Sequence, residues 1–201
     1  MFLLQHDSCL SAPGLIRRGL RRVARGAAVI RPGGPDVLVG PCPLGRGLFA
    51  ARPFRAGERI LVFRGPEIDF RAVVAKGEAE ANPLQIGPDR YLDIDAPAVC
   101  ANHSCRPNAG IVNDRVLMAI APIRSGEEIR YDYSTTMWEG HWTLPCACGS
   151  PDCRGVVDDF PTLPADLQRR YLRLGIVQRF IVRGLQRSSA PDQVRSERAS
   201  A

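Results

Sequence analysis

Along most of the chain the apolar positions fall in short runs, each closed by a turn. Leu48–Ala51 and Arg59–Phe63 are two such runs, separated by the turn Pro53–Gly57, and they predict paired strands. A strand is also expected at Asp36–Val39, bracketed by the Gly- and Pro-dense stretch RPGGPDVLVGPCPLGRG of 31–47. Tyr91–Ile94 alternates apolar and polar, as a half-buried strand does. Ile111–Val112 and Val116–Ile120 flank Asn113-Asp114, which predicts a hairpin. Ile123–Tyr133 repeats the turn-then-strand pattern, with Ser125-Gly126 at the turn. Phe70–Ala81 is Ala-rich and predicts a helix that ends before Asn82-Pro83.

Nearer the C-terminus the period changes. Leu167, Tyr171, Leu174, Ile181 and Leu185 form a helical stripe. Thr162 is placed to cap this helix, with Pro164 in its first turn, and Gly175 is placed to split it. The expected fold class is therefore mainly β with short helices and a C-terminal helical tail. No apolar run approaches the roughly 20 residues that a membrane span needs.

Charge changes this picture more than composition does. Of the 201 residues, 45% are hydrophobic and 24% charged, an ordinary globular balance. The net charge of +6 is uneven. Residues 1–31 carry six Arg and one acid, and residues 169–201 carry eight Arg and two acids. Residues 32–168 hold thirteen bases and eighteen acids. An acidic body suits a basic protein or peptide substrate. The Arg-rich ends leave direct nucleic-acid contact open, but not as the main function, because the expected footprint is a basic stripe on the folded domain. Residues 1–31 also have the acid-poor look of an organelle transit peptide, and fit an unstructured extension at least as well.

Three of the seven Cys follow C-x-C-x4-C, at Cys146, Cys148 and Cys153. Such thiolates can share one metal ion, with Zn²⁺ the usual tetrahedral partner, and point to a reducing intracellular compartment. A fourth ligand has to come from elsewhere: His141 is nearest, and Cys105, Cys100, Cys42 and Cys9 are the others. In ANHSCRPNAG, 101–110, a His stands beside a Ser and a Cys. A nucleophile-and-base reading is weak there, because sequence neighbours rarely face each other and triads assemble from distant positions.

Four segments occur together and in order: GRGLFAARPFRAGERI at 45–60, NHSCRPN at 102–108, SGEEIRYDY at 125–133 and CACGSPDCRG at 146–155. The set resembles the SET-domain protein lysine methyltransferases that carry a zinc-binding post-SET segment, over about residues 36–158. The resemblance implies a fold of small curved sheets around a knot-like core, with the NHSC and YDY segments threaded side by side. It implies S-adenosylmethionine as cofactor, one structural Zn²⁺, and a lysine side chain as substrate.

Residue by residue, the resemblance gives Gly45, Arg46 and Gly47, with Asn102 and His103, to cofactor binding. It makes Tyr133 the catalytic tyrosine, and gives Tyr131 the position that influences the degree of methylation. It adds Cys105 to Cys146, Cys148 and Cys153 on the zinc. A Tyr at 131 leads to an expectation of mainly monomethylation. The implied organisation is an extension at 1–35, a SET domain at 36–143, a post-SET segment at 144–158, a helix or helix pair at 159–187 and a disordered tail at 188–201.

Two positions depart from the family pattern. Phe63 stands in FRGPE where many members have Tyr, and Val99-Cys100-Ala101 replaces an Arg-Phe pair before NHSC. Both lean toward the alternative, a catalytically weak or inactive SET fold that binds protein or nucleic acid. Glu127 and Glu128 read as a solvated turn. Trp138 and Trp142 read as core side chains or as a cover for the adenine.

Overall fold

The structure is a computed structural model and describes residues 34–189. The Arg-rich segment 1–31, including Cys9, and residues 190–201 lie outside the described residues.

Strands β1 (Val37–Cys42) and β2 (Gly45–Ala50) form an antiparallel hairpin, with Val37 opposite Ala50 and Cys42 opposite Gly45. Strand β3 (Arg59–Val62) does not pair with β2 as expected. It joins β8 (Val116–Ala119), which pairs with β7 (Ala109–Val112) in the order β3-β8-β7. The reason is that both edges of β2 are already used. One edge faces β1, and the other exchanges backbone bonds with residues 126–129, as in Ile129 N to Leu48 O at 2.7 Å. The β7–β8 hairpin turns at Asn113 and Asp114, with φ of 51° and 66°, as a tight hairpin turn demands. A third sheet runs β4 (Glu67–Ile68), β6 (Arg90–Leu92), β5 (Leu84–Gly87), and a short pair joins β9 (Leu144–Pro145) to β10 (Val156–Val157).

Three further expectations are corrected. The helix expected over 70–81 is a five-residue α1 (Phe70–Val74) followed by a 3-10 turn at Gly77–Ala79. Gly77 sits at φ +59°, a left-handed conformation that breaks the helix. Ile123–Tyr133 is extended but forms no continuous strand. It changes partner along its length, bridging Phe54, then Phe49, then His103. Thr162 does not cap the tail helix. Its hydroxyl donates to Asp159 O, and α2 (Ala165–Leu174) starts behind Pro164. Gly175, left-handed at φ +66°, ends α2 as expected, and α3 (Arg179–Ser189) follows. The tail expected from 188 thus begins inside α3.

Two apolar clusters result. The first holds Leu48, Phe54, Phe63, Leu92, Ile111, Leu117, Ile123 and Ile129 between the sheets. The second holds Phe160, Tyr171, Ile176 and Ile181 and seats the helix pair on β7. There Gly110 gives Ile176 room: a Cβ on it would lie 2.5 Å from Ile176 Cγ2.

Candidate active site and metal cluster

The site forms where segment 101–105 and segment 129–133 lie side by side in parallel. Tyr131 N donates to Asn102 O at 3.2 Å, and Ser104 N donates to Tyr131 O at 3.0 Å. Residues 29 apart in the chain are thereby fixed as neighbours. Asn102, 7% exposed, donates through Nδ2 to Arg46 O at 2.9 Å and to Glu128 Oε1 at 2.9 Å. The Gly45–Gly47 stretch of β2 therefore lies against Asn102. A Cβ on Gly47 would meet Glu128 Oε1 at 2.5 Å. Gly45, Arg46, Gly47 and Asn102 are brought together, and Glu128 joins them.

His103 is buried, and burial lowers its pKa to about 4 despite the opposing charge of Asp132. Its ring is neutral at pH 7. Nδ1 accepts the Tyr133 backbone N–H at 3.2 Å, which places the ring proton on Nε2, 3.3 Å from Cys105 Sγ.

Tyr131 and Tyr133 stand with ring centroids 4.8 Å apart. They line a narrow cavity of about 50 Å³ together with Ala101, Thr136 and Trp142. The Tyr133 hydroxyl donates to Ala101 O at 3.0 Å, and Phe63 packs edge-on against Tyr131 at 6.0 Å. Burial raises the pKa of both tyrosines well above the usual 10. Both are neutral hydroxyls across the physiological range. Trp138 packs against the helix-pair core, the first of its two expected roles.

Beneath these tyrosines Asp132 is fully buried and receives a fork from Arg154, Nη1 to Oδ2 at 2.7 Å and Nη2 to Oδ1 at 2.8 Å. The Tyr171 hydroxyl of α2 adds a third bond to Oδ2 at 2.9 Å. A buried carboxylate is tolerated when it is paired and multiply hydrogen-bonded in this way. Arg154 also places its backbone N–H 3.4 Å from Cys105 Sγ. Sequence reasoning missed Glu128, Arg154 and Tyr171. Only the Arg-Gly after Cys153 and the second acid of Gly-Glu-Glu hinted at two of them.

His103, Cys105, Cys146 and Cys148 form the metal-capable group: their ligand atoms all lie within 4.8 Å of one another. Cys105 and Cys146 Sγ are 3.7 Å apart. For Cys148, burial raises the pKa, but N–H donors of Cys105 and Ser150 and the neighbouring thiols bring it down to about 7. Cys153 lies outside that group. It is exposed, with Sγ 3.7 Å from Cys146 O and 3.5 Å from Gly155 N. His141 is exposed, with its ring 4.9 Å from that of Phe70, and Cys42 lies beside Asn102.

Small antiparallel sheets, two threaded segments and a tyrosine-lined slot beside a thiol cluster define a SET fold. The SET domain family model matches residues 45–134. Human histone-lysine N-methyltransferase 2B is 34% identical over 128 residues, 55% of this chain and 5% of that protein. Histone H3-lysine(4) N-trimethyltransferase ATX1 of Arabidopsis thaliana is 32% identical over 134 residues, 57% of this chain and 12% of that protein. Among solved structures, a humanized mutant of the Chaetomium thermophilum Polycomb Repressive Complex 2 bound to the inhibitor GSK126 matches 50% of this chain and 15% of that one, at 23% identity and a TM-score of 0.44. The chain thus matches only a small part of these curated relatives.

Proposed function

We propose that this chain transfers methyl groups from S-adenosylmethionine to lysine side chains of a basic, histone-like protein. The observation that carries the reading is the parallel threading that sets Tyr131 and Tyr133 against Asn102 and His103. The names of the relatives, all histone-lysine methyltransferases, support the substrate class. Gly45–Gly47, Asn102 and His103 would hold the cofactor, and Glu128 adds a carboxylate that suits a cationic sulfonium. Bound there, the cofactor supplies an electrophilic methyl group.

The protein's own residues do the rest. The acceptor amine must be neutral, although a free lysine has a pKa of about 10.4. Burial in a narrow slot disfavours the ammonium and lowers that value. Both tyrosines keep their protons, so neither acts as the base. The Tyr133 hydroxyl, fixed on Ala101 O, orients the amine, and positioning supplies most of the gain. The Tyr131 hydroxyl takes up room beside the amine, which favours monomethylation.

For the metal we infer Zn²⁺ held by Cys105, Cys146, Cys148 and Cys153. His103 stands within the group, but with Nδ1 accepting from Tyr133 its Nε2 carries a proton and offers no lone pair. It serves better as a donor to the Cys105 thiolate. Zinc content near one equivalent that falls in Cys153→Ser and persists in His103→Ala supports this set; the reverse pattern puts His103 on the metal.

The function is tested with labelled S-adenosylmethionine and a panel of basic proteins including histones, beside Tyr133→Phe. Transfer to histone by the native chain, lost in the variant, is expected. No transfer to any protein, with no cofactor binding by calorimetry, overturns the reading in favour of an inactive binding fold.

A further inference from the structure

Next to the tyrosine slot lies a much larger open cavity of about 710 Å³, between α1, β6 and α3. Four aromatic side chains line it, Phe70, Tyr91, Trp138 and Phe180, together with the carboxylates of Asp89 and Glu139. Tyr91 and Glu139 also line the tyrosine slot, so the two cavities share a wall.

That wall is built rather than loose. Tyr91 is 3% exposed, and its hydroxyl donates to Glu139 Oε2. Asp89 accepts the Phe70 backbone N–H at 2.9 Å, and the Phe70 and Tyr91 rings stand 6.1 Å apart. The Trp138 backbone N–H is held by Gln85 Oε1 at 2.8 Å. Its indole lies across α3 where Gly184 has no side chain: a Cβ there would overlap Cζ3 of the ring. The charge is negative on balance. Asp89 and Glu139 line the cavity, and Asp159 accepts the Glu139 backbone N–H at 3.1 Å. Arg187, exposed on the last turns of α3, is the single cation in the lining.

Aromatic faces with fixed carboxylates beside them suit a flat or compact organic cation. We propose that this basin receives a second basic side chain of the substrate, an arginine or lysine that flanks the lysine entering the slot. The proposal rests on the methyltransferase reading for what occupies the slot. Its consequence is a preference for lysines set in basic sequence, in keeping with an acidic body.

The test is equilibrium binding, which needs no methyl transfer. Peptides with one central lysine carry arginine, norleucine or alanine at each position from three before it to three after. They are titrated in the presence of S-adenosylhomocysteine into the native chain and into an Asp89→Asn/Glu139→Gln double variant. Asn and Gln keep acceptors for Phe70 N–H and the Tyr91 hydroxyl while removing both charges. We expect arginine at one position to tighten binding about threefold to thirtyfold over alanine, the span of a cation–π contact from exposed to desolvated. The double variant should cut that ratio severalfold, leaving only what the aromatic rings hold by themselves, and norleucine should not reproduce it. No arginine preference at any position, or a preference undiminished in the double variant, overturns the proposal. Absent methyl transfer with the preference intact would sink the enzymatic reading and leave the basin standing.

Discussion

At the scale of single residues, the two tyrosines divide the proposed work. Tyr131 sits between Tyr133 and Phe63, with Phe63 edge-on at 6.0 Å. Its oxygen is thus the removable polar atom in an otherwise aromatic corner. Tyr131→Phe should shift products from monomethyl- toward di- and trimethyl-lysine with little loss of stability, and mass spectra showing an unchanged product ratio would refute the assignment. Tyr171→Phe tests a different bond. It deletes one hydroxyl donor from a buried carboxylate, a loss of about 2 kcal/mol for a hydrogen bond to a charged group. The effect should appear as a lower denaturation midpoint with an unchanged slope. An equal midpoint would mean that Arg154 and the Ser134 backbone N–H satisfy Asp132 without it. The tyrosines and Asn102-His103 were legible in the sequence because the family motif marks them. Tyr171 was not: the stripe marked it as apolar core, and nothing in the spacing says that its oxygen meets Asp132 39 residues away.

At the scale of elements, the chain shows where local pattern suffices. The β7–β8 hairpin forms where Asn113-Asp114 puts it, because the tight turn over 113–115 carries its own geometry. The partner of β3 was not legible, since a strand's apolar run says that it is buried and not beside which strand. The helix pair was visible as a stripe with a glycine break. Its seat was not, because the seat depends on missing side chains at Gly110 and Gly184. Gly184→Ala decides how tight that seat is. On helix propensity alone the change should stabilise α3 by about 1 kcal/mol. Overlap with Trp138 opposes it with an overpacking cost of about 1–3 kcal/mol. We expect a net loss, read as a lower melting temperature; a rise would show that Trp138 yields and that the basin wall is adaptable.

At the scale of the whole molecule, the thiol cluster ties two distant parts of the chain together. Cys105 comes from the threaded core, and Cys146 and Cys148 from the segment beyond β9, which returns through Cys153 and Arg154 to β10. The same return supplies the guanidinium that pairs with Asp132, directly between Tyr131 and Tyr133. Metal binding, if it draws the four thiolates together, therefore acts on the cofactor side and on the tyrosines through one covalent strand. A bound metal stabilises the folded state by mass action and is lost with acid or chelator. Chelation should lower the melting temperature and weaken S-adenosylmethionine binding in calorimetry together, and added Zn²⁺ should restore both. A fall in stability with cofactor affinity unchanged would separate the two. It would show that Arg154 holds the strand in place without the metal, and would leave the cluster a purely structural clasp.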